Sequence, residues 1–270
     1  MSKQKTKAEI QTHKDNVIAD LSSFLDKLIE TSTDTKRADL ISYWLKDFQR
    51  YISQEKDFDA SKIKSYKRGD VIKVNLGFNI GSEQGGLRYA IVLDKDNKHN
   101  SKTITIIPLT SQKEEKKIYE RDVDLGRELY NRLKAKYDSA LDELQKEQTL
   151  HVTALDNARQ LIDSLLRVYT DEDEETMKTI EHAIKQTEEL LNSQNDVLNI
   201  LSDKKRNLDK IKSELYKMKD GSIAKIEQIT TISKQRIFDP KGSKDVLSGI
   251  QFSSAAMDKI NEKLKELYIF

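Results

Sequence analysis

The sequence predicts an α+β protein: a small β unit in two halves, separated along the chain by a long antiparallel coiled-coil hairpin, preceded by a helical hairpin and closed by a terminal helix. Three observations carry this. Short β-branched runs and most of the glycines lie in 66–125, and β character returns after Gly221. From Arg127 to Lys219 there is neither Gly nor Pro, and apolar residues recur at alternating steps of three and four. Two further apolar stripes at helical spacing precede residue 60.

Composition narrows the function classes. Of 270 residues, 34% are charged and 36% hydrophobic, and the mean hydropathy is −0.71, a balance that suits long solvated helices. With Pro at 2 positions and Gly at 9, neither an all-β fold of tight turns nor a Pro/Gly linker fits. The absence of Cys excludes disulfide frameworks, thiolate zinc sites and cysteine nucleophiles. The histidines, His13, His99, His151 and His182, show no metal-ligand spacing, so no metal and no cofactor are expected. A net charge of +1 argues against a globally basic nucleic-acid binder but leaves room for a local basic groove. The opening MSKQKTKAEI has no apolar run, and no stretch approaches the ~18 apolar residues of a membrane span. The expectation is a cytoplasmic protein with no membrane partner.

Ile10, Val17, Leu21, Phe24 or Leu25, and Leu28 mark a helix over 7–31. TSTDT (31–35) supplies turn and cap residues, and Leu40, Ile41, Trp44, Leu45, Phe48, Tyr51 and Ile52 mark a second helix over 36–57. DVIKVNL (70–76), YAIVLD (89–94) and TITIIPL (103–109) read as strands. GFNIGSEQGG (77–86) is a Gly-rich polar loop and KHNSK (98–102) a turn. The arm carries Tyr130, Leu133, Tyr137, Ala140 and Leu144, shifts register around Glu147–Val152, and is interrupted by TDEDEET (170–176), where Asp171 and Asp173 are candidate caps. SIAKIEQITTI (222–232) alternates as one strand, SKQRIFDP turns, and 253–267 forms an amphipathic helix capped by Ser253 or Ser254. The division predicted is 1–60, 61–126, 127–219 and 220–270. A hairpin whose ends meet can interrupt a host fold without disturbing it.

The run KRGDVIKVNL…GSEQGGLRYAIVLD…TITIIPLTS resembles the MazF/PemK family of toxin endoribonucleases. Gly69–Asp70, Gly81–Ser82–Glu83–Gln84–Gly85–Gly86, Arg88 and Pro108–Leu109–Thr110–Ser111 carry the first block, and GSIAKIEQITTISKQRI with the terminal helix carries the second. Together they span roughly 110 residues. Tyr89 stands where the family usually has Pro, and Thr230 where it often has Arg. The arm and the N-terminal helices are additions to the minimal toxin.

The resemblance implies a small MazF/PemK-like, SH3-like β-barrel and metal-independent cleavage of single-stranded RNA. The ribose 2′-OH attacks its own phosphate, leaving a 2′,3′-cyclic phosphate and a 5′-OH. Arg88, Thr110 and Glu83 are the implied catalytic residues. Arg88 suits the charge that builds on phosphate oxygens, because a guanidinium offers several rigidly placed donors. Thr110 offers a hydroxyl to a phosphate oxygen. Glu83 either accepts the 2′-OH proton or anchors the loop. Ser82, Gln84, Gly85, Gly86, Ser111 and Gln228 are the implied substrate-binding residues. Tyr66, Phe78 and Tyr89 are open to base stacking or to packing, and the Lys113–Lys117 run to phosphate contact or to a solvated edge. The implied partners are RNA, an antitoxin protein and a second copy of the chain in a homodimer. The N-terminal helices are read as a built-in inhibitor covering the groove. Two other functions fit the same residues: a non-enzymatic module that poisons a protein such as gyrase, and an inert barrel bearing an interaction arm.

Overall fold

The computed structural model describes residues 5–31, 33–112, 118–168, 174–219 and 221–269. The Lys113–Lys117 run and the Asp171 and Asp173 caps fall outside these. Both N-terminal helices form where the stripes place them, as α1 (Lys7–Glu30) and α2 (Thr35–Gln54). Thr6 and Glu9 close α1 with a reciprocal capping box.

The strands are β1 (Tyr66–Lys67), β2 (Val71–Asn75), β3 (Leu87–Val92), β4 (Asp96–Asn97), β5 (Thr103–Ser111), β6 (Asp122–Asp124), β7 (Ser222–Lys225), β8 (Thr230–Ser233) and β9 (Ile237–Asp239). β1 pairs with β4, and the others form one antiparallel sheet in the order β6-β7-β5-β3-β2-β9, with β8 also on β5. The two halves of the chain therefore interleave: β9 zips onto β2, and β7 lies between β5 and β6. The short β6 escaped the sequence reading because three residues leave no measurable alternation.

Two expectations need correction. The run 222–232 is not one strand. A 3₁₀ turn at Ile226–Gln228 divides it into β7, paired with the end of β5, and β8, paired with its beginning. Pro108 sits at that break and has no N–H to offer a ladder. Nor does the barrel close, since β6 and β9 end the path without pairing to each other.

Each face of the sheet buries its own cluster. On one, Val71, Ile91, Ile107, Leu109 and Ala224 pack under the terminal helix α5 (Ser254–Tyr268), through Met257 and Ile260. They also pack under the roots of two long helices, α3 (Glu128–Val168) and α4 (Glu174–Lys217), through Leu129, Leu133 and Ile211. On the other, Ile72, Val74, Ala90, Val92, Ile106, Ile232 and Ile237 pack on one another and on Tyr66. A cluster built from the strands' own side chains requires the sheet to roll over it. Tyr66 is core, its hydroxyl donating to the Pro240 carbonyl at 2.5 Å.

The α3–α4 pair leaves the sheet and returns to it, and a Lys204–Glu147 ion pair of 2.8 Å joins the two helices along the way. At a rise of ~1.5 Å per residue each reaches roughly 60 Å. The N-cap of α5 is tied to this root. Ser253 accepts from the Ala256 N–H, while its own N–H donates to Glu128 at 2.6 Å.

The root also accounts for Tyr89. Its hydroxyl and the Lys73 ammonium both meet the Glu214 carboxylate of α4. Burial first, then the bond to Glu214, pushes the phenol's pKa up, so the tyrosine is the donor. A proline here would leave Glu214 without that donor. Tyr89→Phe is expected to cost about 1–2 kcal/mol in urea unfolding; an unshifted midpoint would mean that Lys73 alone satisfies Glu214.

Candidate functional site

The Gly-rich loop between β2 and β3 is held from three sides. From above, Trp44 of α2 lies against Gly77, where φ is +81° and a Cβ would come within 2.7 Å of the indole. Only glycine permits both the turn and the contact. From within, the Gly86 N–H donates to the Gly77 carbonyl at 2.6 Å, while a Cβ on Gly85 would stand 2.9 Å from that same oxygen.

From the far half of the chain comes Gln228, in the 3₁₀ turn between β7 and β8. Its Oε1 accepts from the Gln84 N–H at 2.6 Å, and its Nε2 donates to the Ser82 carbonyl at 3.2 Å. The two sequence blocks thus converge, with Gln228 clasping the loop's backbone. Gln228→Ala removes both bonds, and amide exchange at Gln84 is expected to quicken about 5- to 10-fold, in line with about 1 kcal/mol per hydrogen bond. Unchanged exchange at Gln84 would show that the loop holds without the clasp.

Arg88 is the second residue of β3 and is exposed. Its Nε donates to the Gly85 carbonyl at 2.9 Å, which aims the guanidinium along the loop, and among the described residues its Nη nitrogens meet no partner. The Glu83 carboxylate accepts from the Ile80 N–H at 3.4 Å. Arg88, Glu83, Gly85 and Gly86 share one groove of about 1400 Å³.

Thr110 and Ser111 lie elsewhere, on β5 opposite Ile223 and Ser222 of β7, and neither lines that groove. Ser82, Gln84 and Gln228 also stand outside its lining. The β3–β5 register pairs Ala90 with Pro108. That pair ends the β3–β5 ladder, and Thr110, two residues on, is paired with Ile223 of β7.

Sequence reasoning missed the groove's other wall. Trp44, Asp47, Arg50 and Tyr51 of α2 face Arg236 and Phe238 across it. Arg236 donates through Nε to the Asn75 carbonyl at 2.8 Å and stacks 5.3 Å from the Trp44 ring. The available signal was the chain's single Trp, central on the second helical stripe and read only as core.

The antiparallel sheet presents Arg88 of β3 beside a glycine-rich loop at an open groove, where an exposed guanidinium offers donors that suit an anion. The sequence model of the PemK-like, MazF-like toxins of type II toxin–antitoxin systems matches residues 67–187, from β1 into α4. That match supports a PemK-like, MazF-like toxin domain within this chain. Members of that family are generally endoribonucleases that work opposite an antitoxin, typically as dimers. No curated protein matches the chain. Among the described residues no helix is long and apolar enough to cross a membrane.

Proposed function

We propose that this chain is the toxin of a type II pair and cleaves single-stranded RNA without a metal. We further propose that it acts in the cytoplasm and is neutralised by an antitoxin. The observation that carries this reading is Arg88: a guanidinium exposed at the groove, its Nε fixed by Gly85 and its Nη groups open to a ligand.

In the reaction, the ribose 2′-oxygen attacks the adjacent phosphorus while the P–O5′ bond breaks. The 2′-OH proton passes to Glu83, and solvent water supplies the proton that the departing 5′-oxygen takes up. A 2′,3′-cyclic phosphate and a 5′-OH result. Arg88 donates to the phosphate oxygens where charge builds, and the Thr110 hydroxyl holds the same phosphate from β5, while Ser111, one residue on, faces the other side of the strand. Ser82, Gln84, Gly85, Gly86 and Gln228 shape the loop against which the nucleotide rests. The substrate is single-stranded, because A-form geometry keeps the 2′-OH out of line and hides base edges.

A supercoiled coiled-coil arm, a homodimer, and a division at 1–60, 61–126, 127–219 and 220–270 complete the proposal. Tight interleaving of the two halves around the arm's root supports it.

Long unstructured RNA incubated with the protein in EDTA tests the class. Cyclic-phosphate ends made by the wild type and lost with Arg88→Ala are expected. RNA left intact by pure, folded protein would instead favour a module that acts by binding another protein.

A further inference from the structure

We propose that the groove between α2 and the rolled sheet is the RNA bed, with α2 as a wall supplied by the chain itself. The inference rests on the nuclease reading and extends it to residues outside the minimal toxin.

The wall is anchored. Trp44 seats on Gly77, Asp47 accepts from Asn75 Nδ2 at 2.7 Å, and Gln235 Nε2 donates to the Tyr51 carbonyl at 3.2 Å. Between wall and sheet the groove holds about 1400 Å³, more than the ~300–1,000 Å³ of pockets for small molecules. Aromatic rings stand exposed on both sides, Tyr43 at 63% on α2 and Phe238 at 64% on β9. Basic side chains outnumber acidic ones along the lining. An open cleft with cations and facing rings suits a single strand, whose phosphates track the charge while its bases stack.

The alternative is that α2 is a plug that inhibits the site. A plug would be expected to set a carboxylate on Arg88. The α2 acid in the groove, Asp47, is instead occupied by Arg50 at 2.8 Å and by Asn75. The Arg88 Nη groups stay open to the cleft.

Binding of a fluorescent 2′-O-methyl RNA 12-mer, which offers no free 2′-OH, separates this proposal from the chemistry. In full-length protein, Tyr43→Ala and Phe238→Ala are each expected to raise Kd at least about fivefold. Tyr216→Ala, at an 81% exposed ring on α4, should leave Kd unchanged. Melting curves check that the variants fold. If Tyr43→Ala and Phe238→Ala bind as wild type does while cleavage of ordinary RNA persists, the strand lies elsewhere and the proposal fails, though the nuclease reading stands. Tighter binding or faster cleavage by Tyr43→Ala would make α2 a plug and also overturn it, and the same gain from Phe238→Ala would show that the ring obstructs the strand and overturn it too. Weakened binding in protein that never cleaves ordinary RNA would keep the bed and remove the nuclease.

Discussion

On the nuclease reading proposed above, Arg88→Ala is expected to lower the RNA cleavage rate by about 10²–10³-fold and to change RNA affinity far less. Loss of one aligned donor to a developing oxyanion costs about 2.7–4 kcal/mol of transition-state stabilisation. The size of the effect follows from how Arg88 is held. Its Nε bond to Gly85 fixes the plane of the guanidinium before substrate arrives, so little reorganisation remains for the reaction step. Arg88→Lys keeps the charge but loses that fork, since a lysine offers a point charge on a flexible stem. It is expected to recover only a small part of the rate. Single-turnover cleavage and anisotropy binding on the same RNA separate the two quantities. A comparable loss in binding would make Arg88 a general phosphate contact.

Ile211→Ala lowers folding stability by about 2–5 kcal/mol, the range for a large aliphatic side chain deleted from a packed core. Ile211 belongs to the arm by sequence, yet it is fully buried in the same cluster as Val71, Ile107 and Ala224 of the sheet. The arm's root is therefore part of the sheet's core, and its outer length is not. Leu150→Ala, at a position 70% exposed along α3, is expected to change stability by less than about 0.5 kcal/mol. Urea unfolding of the two variants makes the comparison. Equal effects would mean that the arm and the sheet do not share a core.

Much of this architecture is legible in the sequence because periodicity reports burial on one face. The stripes before residue 60 became helices, the runs 70–76 and 103–109 gave strands, and the Gly-free arm formed two long helices. What stayed hidden depends on contacts distant in sequence. The 3₁₀ turn that divides 222–232 arises where the strand passes Pro108 of β5, and alternation alone cannot register it. The docking of α2 depends on a bare Gly77 meeting Trp44, residues 33 apart in the chain. The loop, Arg88 and Gln228 were readable as a group because they carried the family resemblance. Their geometry was not: Gln228 spends its amide on the loop backbone, and Thr110 lies one strand away from the groove. Tyr89 looked like a departure from the family until Glu214 of α4 supplied its partner.

The central claim is that Arg88 serves a reaction in which the substrate's own 2′-hydroxyl is the nucleophile. Cleavage of an RNA that carries one 2′-deoxynucleotide immediately 5′ of the mapped cut, compared in EDTA with the all-ribose strand, tests it most directly. The account predicts that the single deoxy substitution abolishes cutting at that bond while affinity holds within a few-fold. Continued cleavage there, with water supplying the attacking oxygen and a linear phosphate at the new end, would contradict it.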